Sequence, residues 1–263
     1  MTEAQQVEYE KRGDVAIIYL NDPDSLNAIT LELGNALIAT LNRASKEARA
    51  IVLSSRGRAF SSGANLAAGG NEDLAKPDRD LGEQLDKMYN PLIRMLRDLP
   101  APLVTAVRGP AAGVGCSIAC MGDIIVAGKG AYFLQAFCNI GLVPDGGSTY
   151  LLAKAIGRVR AMELMLLGER YPAERAFQDG LVTRLVDDDD VERTAIEIAE
   201  KLAAGPTQAL AMIRKAAWAA LDSNLDDQLD LERTLQRDAG RSDDFLEGVA
   251  AFFGKRKAQF KGK

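Results

Sequence analysis

The chain has 263 residues, 47% of them hydrophobic, which is enough to bury the core of one large domain with or without an appendage. Its formal net charge is −5, from 32 basic and 37 acidic side chains with no long basic run, so we expect neither nucleic acid nor a membrane surface as a partner. No apolar stretch approaches the roughly 20 residues of a membrane span, and the polar start lacks a signal-peptide core, which predicts a cytoplasmic protein.

Short β-rich runs alternate with helical patterns along the first two thirds of the chain, and this alternation favours an α/β fold. The predicted strands are 15–20, 51–53, 103–107, 124–127 and 181–186. Thr30 is predicted to cap a helix whose apolar face spans 33–41, and residues 85–96 repeat the same apolar spacing.

Strands are no longer predicted after the four aspartates at 187–190, which are expected to form a solvated turn. The remaining pattern predicts helices at 191–203, 206–221, 225–238 and 245–259, interrupted at Gly205-Pro206 and at Gly240. We therefore divide the chain into an α/β core, 1–203, and a helical C-terminal region, 204–263. The apolar residues of that region either pack on the chain's own core or meet another subunit. They include Leu210, Met212, Ile213, Trp218, Phe245, Val249, Phe252 and Phe253.

The chain contains no histidine, which excludes Ser-His-Asp and Cys-His catalysis and any imidazole acid or base. Its three cysteines are an odd number and argue against a disulfide framework. Cys116 and Cys120 could share a helix face, but their apolar neighbours favour packed thiols, so no metal site is expected. Catalysis must use carboxylates, hydroxyls, lysines or backbone amides.

Two glycine-lined turns, 59–66 and 108–116, are the most informative features of the sequence. Such turns can aim two backbone N–H groups at one developing oxyanion, which indicates thioester chemistry. The pattern from Gly113 to Met121 predicts the start of a helix, so the Val114 amide would be a donor without an intrahelical acceptor. Tight helix–strand packing is the alternative explanation for either turn alone.

Five motifs in unbroken order resemble the crotonase (enoyl-CoA hydratase/isomerase) superfamily. They are Asn27-Ala28, the 59–64 turn, 109–116, the 141–147 segment GLVPDGG, and 247–252 with Lys255-Arg256. The resemblance implies a crotonase-like spiral of ββα turns and a C-terminal helical trimerisation region, so a homotrimer or a dimer of trimers. It also implies an acyl-CoA ligand, with coenzyme A as part of the substrate and no separate cofactor, in fatty acid or aromatic acid degradation.

Carried over position by position, the resemblance implies an oxyanion hole formed by the N–H groups of Ala64 and Val114. It implies further contacts to substrate and coenzyme A, from Ser25, Leu26, Ala28, Ala64, Asn65, Leu66, Gly113 and Phe137. Arg58 and Lys255, Lys257 and Lys261 could meet phosphates, although plain solvation also explains these lysines.

The departures from the family pattern bear on the reaction. Where hydratases of the superfamily carry two glutamates, this chain has Ser117 and Phe137, so simple water addition is not expected. Isomerases of the 1,2-epoxyphenylacetyl-CoA and enoyl-CoA branch place an aspartate where this chain has Asp145, and a double-bond shift needs only one base. As alternatives, Asp145 caps the next helix or acts as a nucleophile.

We expect an acyl-CoA isomerase with Asp145 as proton shuttle. A hydratase or hydrolase that recruits another acid, and a non-catalytic acyl-CoA-binding or assembly protein, are the alternatives. Tyr89, Asn90, Glu72 and Asp73 could border an acyl pocket, but the sequence favours them as surface residues.

Overall fold

The computed structural model describes residues 5–65 and 77–263, which form two β-sheets with helices packed around them. The strands are β1 Val7–Arg12, β2 Val15–Leu20, β3 Ala50–Ser55, β4 Leu103–Val107, β5 Pro110–Ala112, β6 Ile124–Gly128, β7 Tyr132–Leu134, β8 Arg170–Pro172 and β9 Arg184–Val186. The helices of the core are α1 Leu31–Glu47, α2 Gly82–Gln84, α3 Asn90–Arg97, α4 Val114–Cys120, α5 Ser148–Ile156, α6 Arg158–Leu167, α7 Ala173–Gln178 and α8 Val191–Ala203. A π-helical turn, Leu85–Tyr89, joins α2 to α3. The C-terminal helices are α9 Thr207–Ala220, α10 Leu225–Ala239 and α11 Asp243–Phe253.

The larger sheet has six strands in the order β1-β2-β3-β4-β6-β9. The pair β1 and β2 is antiparallel, whereas each later neighbour is parallel. All six residues of β2 are buried, as expected for a continuous apolar run in a sheet covered on both faces. Helix α1 and its neighbours cover one face, and α8 packs on the other through Ala195 and Ala199.

The second sheet runs beside the first, and the chain alternates between the two sheets. Strand β4 continues into β5, and β6 continues into β7, so each passage adds one strand to each sheet. Two isolated parallel bridges add earlier segments of the chain to the smaller sheet. Ser61 pairs with Ala111 of β5, and Ala64 pairs in turn with Ile29. This is the predicted spiral of ββα turns. It places the turns that follow β2, β3, β4 and β6 side by side.

Most predicted elements are confirmed. Thr30 caps α1 by accepting a hydrogen bond from the Leu33 amide, and α8 has the predicted bounds. The helix predicted at 245–259 is wrong at its end, because α11 stops at Phe253. Beyond it Lys255 has a φ of 48°, and the chain turns back along α11. The Asp244 carboxylate holds the returning segment by accepting from the Lys261 and Gly262 amides at 2.7 and 2.8 Å.

Two arginines, the buried Arg214 and the half-buried Arg49, attach the helical region to the core. Arg214 on α9 pairs with Asp123 at 2.5 Å and donates to the carbonyls at the end of α3, including Leu96. Arg49 donates to the Gly205 carbonyl. Cys116 is buried in the core, as predicted. Within 5–65 and 77–263, no helix is long and apolar enough to cross a lipid bilayer.

Candidate active site

The two glycine turns lie against each other where β3 and β4 end. The Ser61 amide donates to the Pro110 carbonyl, and the Ala112 amide donates to the Ser61 carbonyl. A Cβ on Gly63 would lie 2.9 Å from the Ala112 oxygen and 3.5 Å from Gly113 Cα. Both glycines have positive φ, 96° and 51°, so this close approach needs residues without a side chain.

The amides that follow these glycines belong to Ala64 and Val114. Ala64 forms a parallel bridge with Ile29, in which the Gly63 carbonyl and the Asn65 amide make the hydrogen bonds to Ile29. The N–H of Ala64 itself is therefore on the side of the strand that faces away from Ile29. Val114 is the first residue of α4, where an amide has no intrahelical acceptor. Among the described residues neither N–H has an acceptor. The two adjoining turns thus supply two free donors, as an oxyanion hole requires.

Asn27 fastens the loop before α1 to the first of these turns. Its side chain is fully buried, its amide donates to the Arg56 and Ala59 carbonyls at 2.9 and 2.8 Å, and its oxygen accepts from the Asp22 amide. Its φ of 55° suits asparagine better than most residues. The sequence showed Asn27 only as part of a motif, without a structural role.

We expect Asn27→Ala to lower the free energy of unfolding by about 2–4 kcal/mol, because one buried and two part-buried backbone groups lose their partner. Urea unfolding followed by circular dichroism measures the change. The control is Asn42→Ala at an exposed position of α1, for which a change below about 0.5 kcal/mol is expected. Equal losses in the two variants would contradict the role of Asn27 as a hub.

The segment that carries Asp145 packs against the first turn of α4. A Cβ on the next residue, Gly146, would be 3.1 Å from Val114 Cγ2 and 3.0 Å from Ser117 Cβ, so this segment rests on the first turn of α4. The Asp145 carbonyl accepts from the hydroxyls of Ser148 at 2.6 Å and Ser117 at 3.2 Å. These serines also bond to each other at 2.7 Å. The backbone of Asp145 is thereby fixed while its side chain stays free.

The Asp145 carboxyl group does not cap the following helix. Helix α5 has Gly147 at its N-cap position and no capping side chain, so that alternative is wrong. Oδ1 of Asp145 is buried without a hydrogen-bond partner in the described part of the chain. Burial disfavours the charged form and raises the pKa of Asp145 to about 6, a value suited to a base near neutral pH.

Ser117 and Phe137 are the residues that the sequence resemblance matched to the glutamates of hydratases. The Ser117 hydroxyl is engaged with Ser148 and the Asp145 carbonyl. The ring of Phe137 faces Gly113, whose Cβ would lie 3.6 Å from Phe137 Cζ. Neither side chain supplies a titratable group for water addition.

Most of the residues predicted to contact coenzyme A lie close to one another in the structure. Ser62 donates through its hydroxyl to the Ser25 carbonyl and through its amide to the Leu26 carbonyl, so the loop carrying Ser25, Leu26 and Ala28 borders the 61–64 turn. Asn65 follows Ala64 on the same strand edge, and its amide donates to Ile29. Leu66 lies outside the described residues, as do Glu72 and Asp73.

The basic residues proposed for phosphate contacts are on different parts of the fold. Arg58 is on the turn before Ala59, and its carbonyl lies against Gly109. Lys255, Lys257 and Lys261 are on the segment that returns along α11, where Asp244 and Arg49 hold the backbone.

A cavity of about 1040 Å³ lies between α3, α5 and the helical region, beside Gly147. Its walls include Ile93, Leu151, Tyr150, Trp218 and Arg214. Tyr89, which the sequence favoured as a surface residue, is 4% exposed, and Asn90 is half-buried.

Comparisons with known proteins agree with this geometry. Residues 10–263 match the family model for enoyl-CoA hydratase/isomerase. The chain is 43% identical to the 1,2-epoxyphenylacetyl-CoA isomerase of Escherichia coli (strain K12), over 95% of each chain. It is 41% identical to a "Probable enoyl-CoA hydratase" of Rhodobacter capsulatus, over 98% of each chain. The crystal structure of an enoyl-CoA hydratase from Polaromonas sp. JS666 superposes with a TM-score of 0.90 at 33% identity, covering 97% of this chain and 99% of that one.

Proposed function

The chain belongs to the enoyl-CoA hydratase/isomerase family, and on this premise we propose that it is an acyl-CoA isomerase that shifts a double bond along the acyl group. The observation that carries the proposal is the Asp145 carboxyl group. The residue is half-buried, its buried Oδ1 has no partner among the described residues, and its pKa is raised to about 6. Its segment rests on the first turn of α4, whose first residue, Val114, supplies one of the two free backbone donors.

In the proposed reaction the thioester oxygen of a 3-enoyl-CoA accepts hydrogen bonds from the Ala64 and Val114 amides. The ionised Asp145 removes a proton from C2, and the electron pair moves through the enolate while the two amides stabilise the negative oxygen. The carboxylic acid so formed returns the proton to C4, which leaves the double bond between C2 and C3. The protein ends in its starting protonation state, and no other reactant is consumed.

The residues around Asp145 favour isomerisation over hydration. Adding water to a double bond needs a second group, which either activates the water or delivers a proton to the substrate, and neither Ser117 nor Phe137 supplies such a group. Relatives carry both names, isomerase and hydratase, so the proposal rests on this chain's own side chains. A nucleophilic Asp145 would form an anhydride with the acyl group or an aryl ester, and hydrolysis of that intermediate needs an activated water, for which the chain has no histidine.

We further propose that the loop with Ser25, Leu26 and Ala28, together with Asn65, Leu66, Gly113 and Phe137, receives the coenzyme A thioester. Coenzyme A is then part of the substrate, and the chemistry requires no separate cofactor.

We also propose that the helical region, 204–263, joins subunits into a homotrimer or a dimer of trimers. Phe252 and Phe253 are each 79% exposed and Ile213 is 62% exposed. Phe252 and Phe253 contact each other edge to face, and exposed large apolar side chains of this kind indicate a protein interface. Trp218, in contrast, packs against the core of its own chain.

The product formed from 3-enoyl-CoA in heavy water tests the proposed reaction. We expect a 2-enoyl-CoA of unchanged carbon skeleton, with deuterium at C4 and, from reversal, at C2, because the Asp145 proton exchanges with solvent between transfers. Mass spectrometry of the product locates the label. A product heavier by one water would show a hydratase, release of free coenzyme A a hydrolase, and binding without turnover a non-catalytic acyl-CoA-binding protein.

A further inference from the structure

Tyr89 is a buried residue that the proposed reaction does not use. It ends the π-helical turn between α2 and α3, and π-turns of this kind occur frequently at functional sites. Its hydroxyl group donates to the Ile29 carbonyl over a long distance of 3.3 Å. That carbonyl already accepts from the Asn65 amide at 3.2 Å, so the hydroxyl makes one weak hydrogen bond to a shared acceptor.

The contact with Ile29 places Tyr89 beside the proposed oxyanion hole, because Ile29 is the bridge partner of Ala64. The same face of this helix also lies near the segment that carries Asp145. Ile93 is one turn after Tyr89, and a Cβ on Gly147 would lie 3.8 Å from its Cγ2. Tyr89 therefore lies between the Ala64 strand and the segment that carries Asp145.

The electrostatics agree with this placement. Burial, and secondly the charge of Asp145, raise the pKa of Tyr89 to about 12, so the hydroxyl keeps its proton and remains a donor at neutral pH. Among the described residues Asp145 is the charged group whose field reaches Tyr89. Arg94 and Arg97 line the cavity farther along α3.

We propose that Tyr89 is a positioning residue for Asp145. Its hydroxyl leaves the Ile29 carbonyl and donates, directly or through one water, to the unpartnered carboxylate oxygen, which fixes the orientation of the base between C2 and C4. The proposal rests on the proposed isomerase reaction. It gives the buried carboxylate oxygen of Asp145 a partner and replaces the long hydrogen bond of the Tyr89 hydroxyl to a shared carbonyl.

Tyr89→Phe tests the role, since it keeps the ring and removes only the hydroxyl. We expect kcat for 3-enoyl-CoA isomerisation to fall about 10- to 100-fold with KM changed less than about threefold, because orientation of the base and not substrate binding is lost. The hydroxyl stabilises the ionised carboxylate, so its removal is expected to shift the acid limb of the rate profile to higher pH.

Tyr171→Phe is the matched control, because Tyr171 on β8 is also buried and its hydroxyl group donates to a different carboxylate, that of Asp179, at 2.7 Å. It is expected to leave kcat and the pH profile unchanged, even if its thermal stability falls. A Tyr89→Phe enzyme with kcat within twofold of wild type and an unmoved acid limb would overturn the proposal. If wild type itself forms no 2-enoyl-CoA, the proposed reaction fails and Tyr89 loses its assigned role with it.

Discussion

Asp145→Asn is expected to reduce kcat for the double-bond shift by about 10³-fold, because it removes the proposed base and keeps the volume of the side chain. The amide cannot accept the C2 proton, whereas the Ala64 and Val114 donors remain in place. Binding of 3-enoyl-CoA should therefore persist, with a dissociation constant within a few-fold of the wild-type value. Steady-state kinetics and calorimetric titration measure the two quantities.

The exposed Asp226 at the start of α10 provides the control, and Asp226→Asn should retain wild-type kcat. If Asp145→Asn keeps more than a tenth of the activity, another group is the base. Loss of binding together with activity would instead indicate a damaged pocket.

The pH dependence of the wild-type enzyme follows from the same group. A base must be ionised to act, so kcat/KM is expected to rise with pH through a midpoint near 6, the raised pKa of Asp145, and to level off above it. The folded protein favours the neutral carboxyl, so this group's contribution to stability is full below its unfolded pKa and is lost as pH rises from about 3.8 through about 6. Asp145→Asn should therefore gain stability relative to wild type at pH 8 but not at pH 4.

The sequence predicted the parts of the fold that local pattern determines. Apolar β-branched runs identified β2, β3, β4 and β6, and the Thr30 cap identified α1. It missed β1, Val7–Arg12, because its charged residues interrupt any apolar run. It also missed β5, β7 and β8, each of three residues, because such short strands are defined by their pairing partners and not by their own composition.

The site was predicted less completely. Resemblance located Asp145, Ala64 and Val114 along the chain, but whether Asp145 capped a helix depended on the position of Gly147, which only the fold determines. Tyr89 was predicted as a surface residue because tyrosine occurs both buried and exposed and nothing in the local sequence placed it, whereas the fold buries it. The environment of the carboxylate likewise depends on segments far apart in the chain.

Gly63→Ala is expected to lower kcat by about 10²- to 10³-fold, the usual effect of losing an oxyanion-hole donor. The new Cβ would lie 2.9 Å from the Ala112 oxygen and 3.4 Å from the Ala112 carbonyl carbon, so the two turns must move apart. That movement separates the Ala64 amide from the Val114 amide, and one thioester oxygen can no longer reach both. The chain is expected to fold, since the strain is confined to one contact.

The matched control is Gly180→Ala, at a glycine with a similar φ of 88° but nothing within 4 Å of its Cβ. Both variants lose about 1–2 kcal/mol of stability from the left-handed backbone. Only the Gly63 variant also separates the two oxyanion-hole donors. The ratio of kcat between the two variants therefore measures the effect of the Cβ clash on the oxyanion hole, apart from the effect of backbone strain. A ratio near one would mean that the amides of Ala64 and Val114 do not act on the same oxygen.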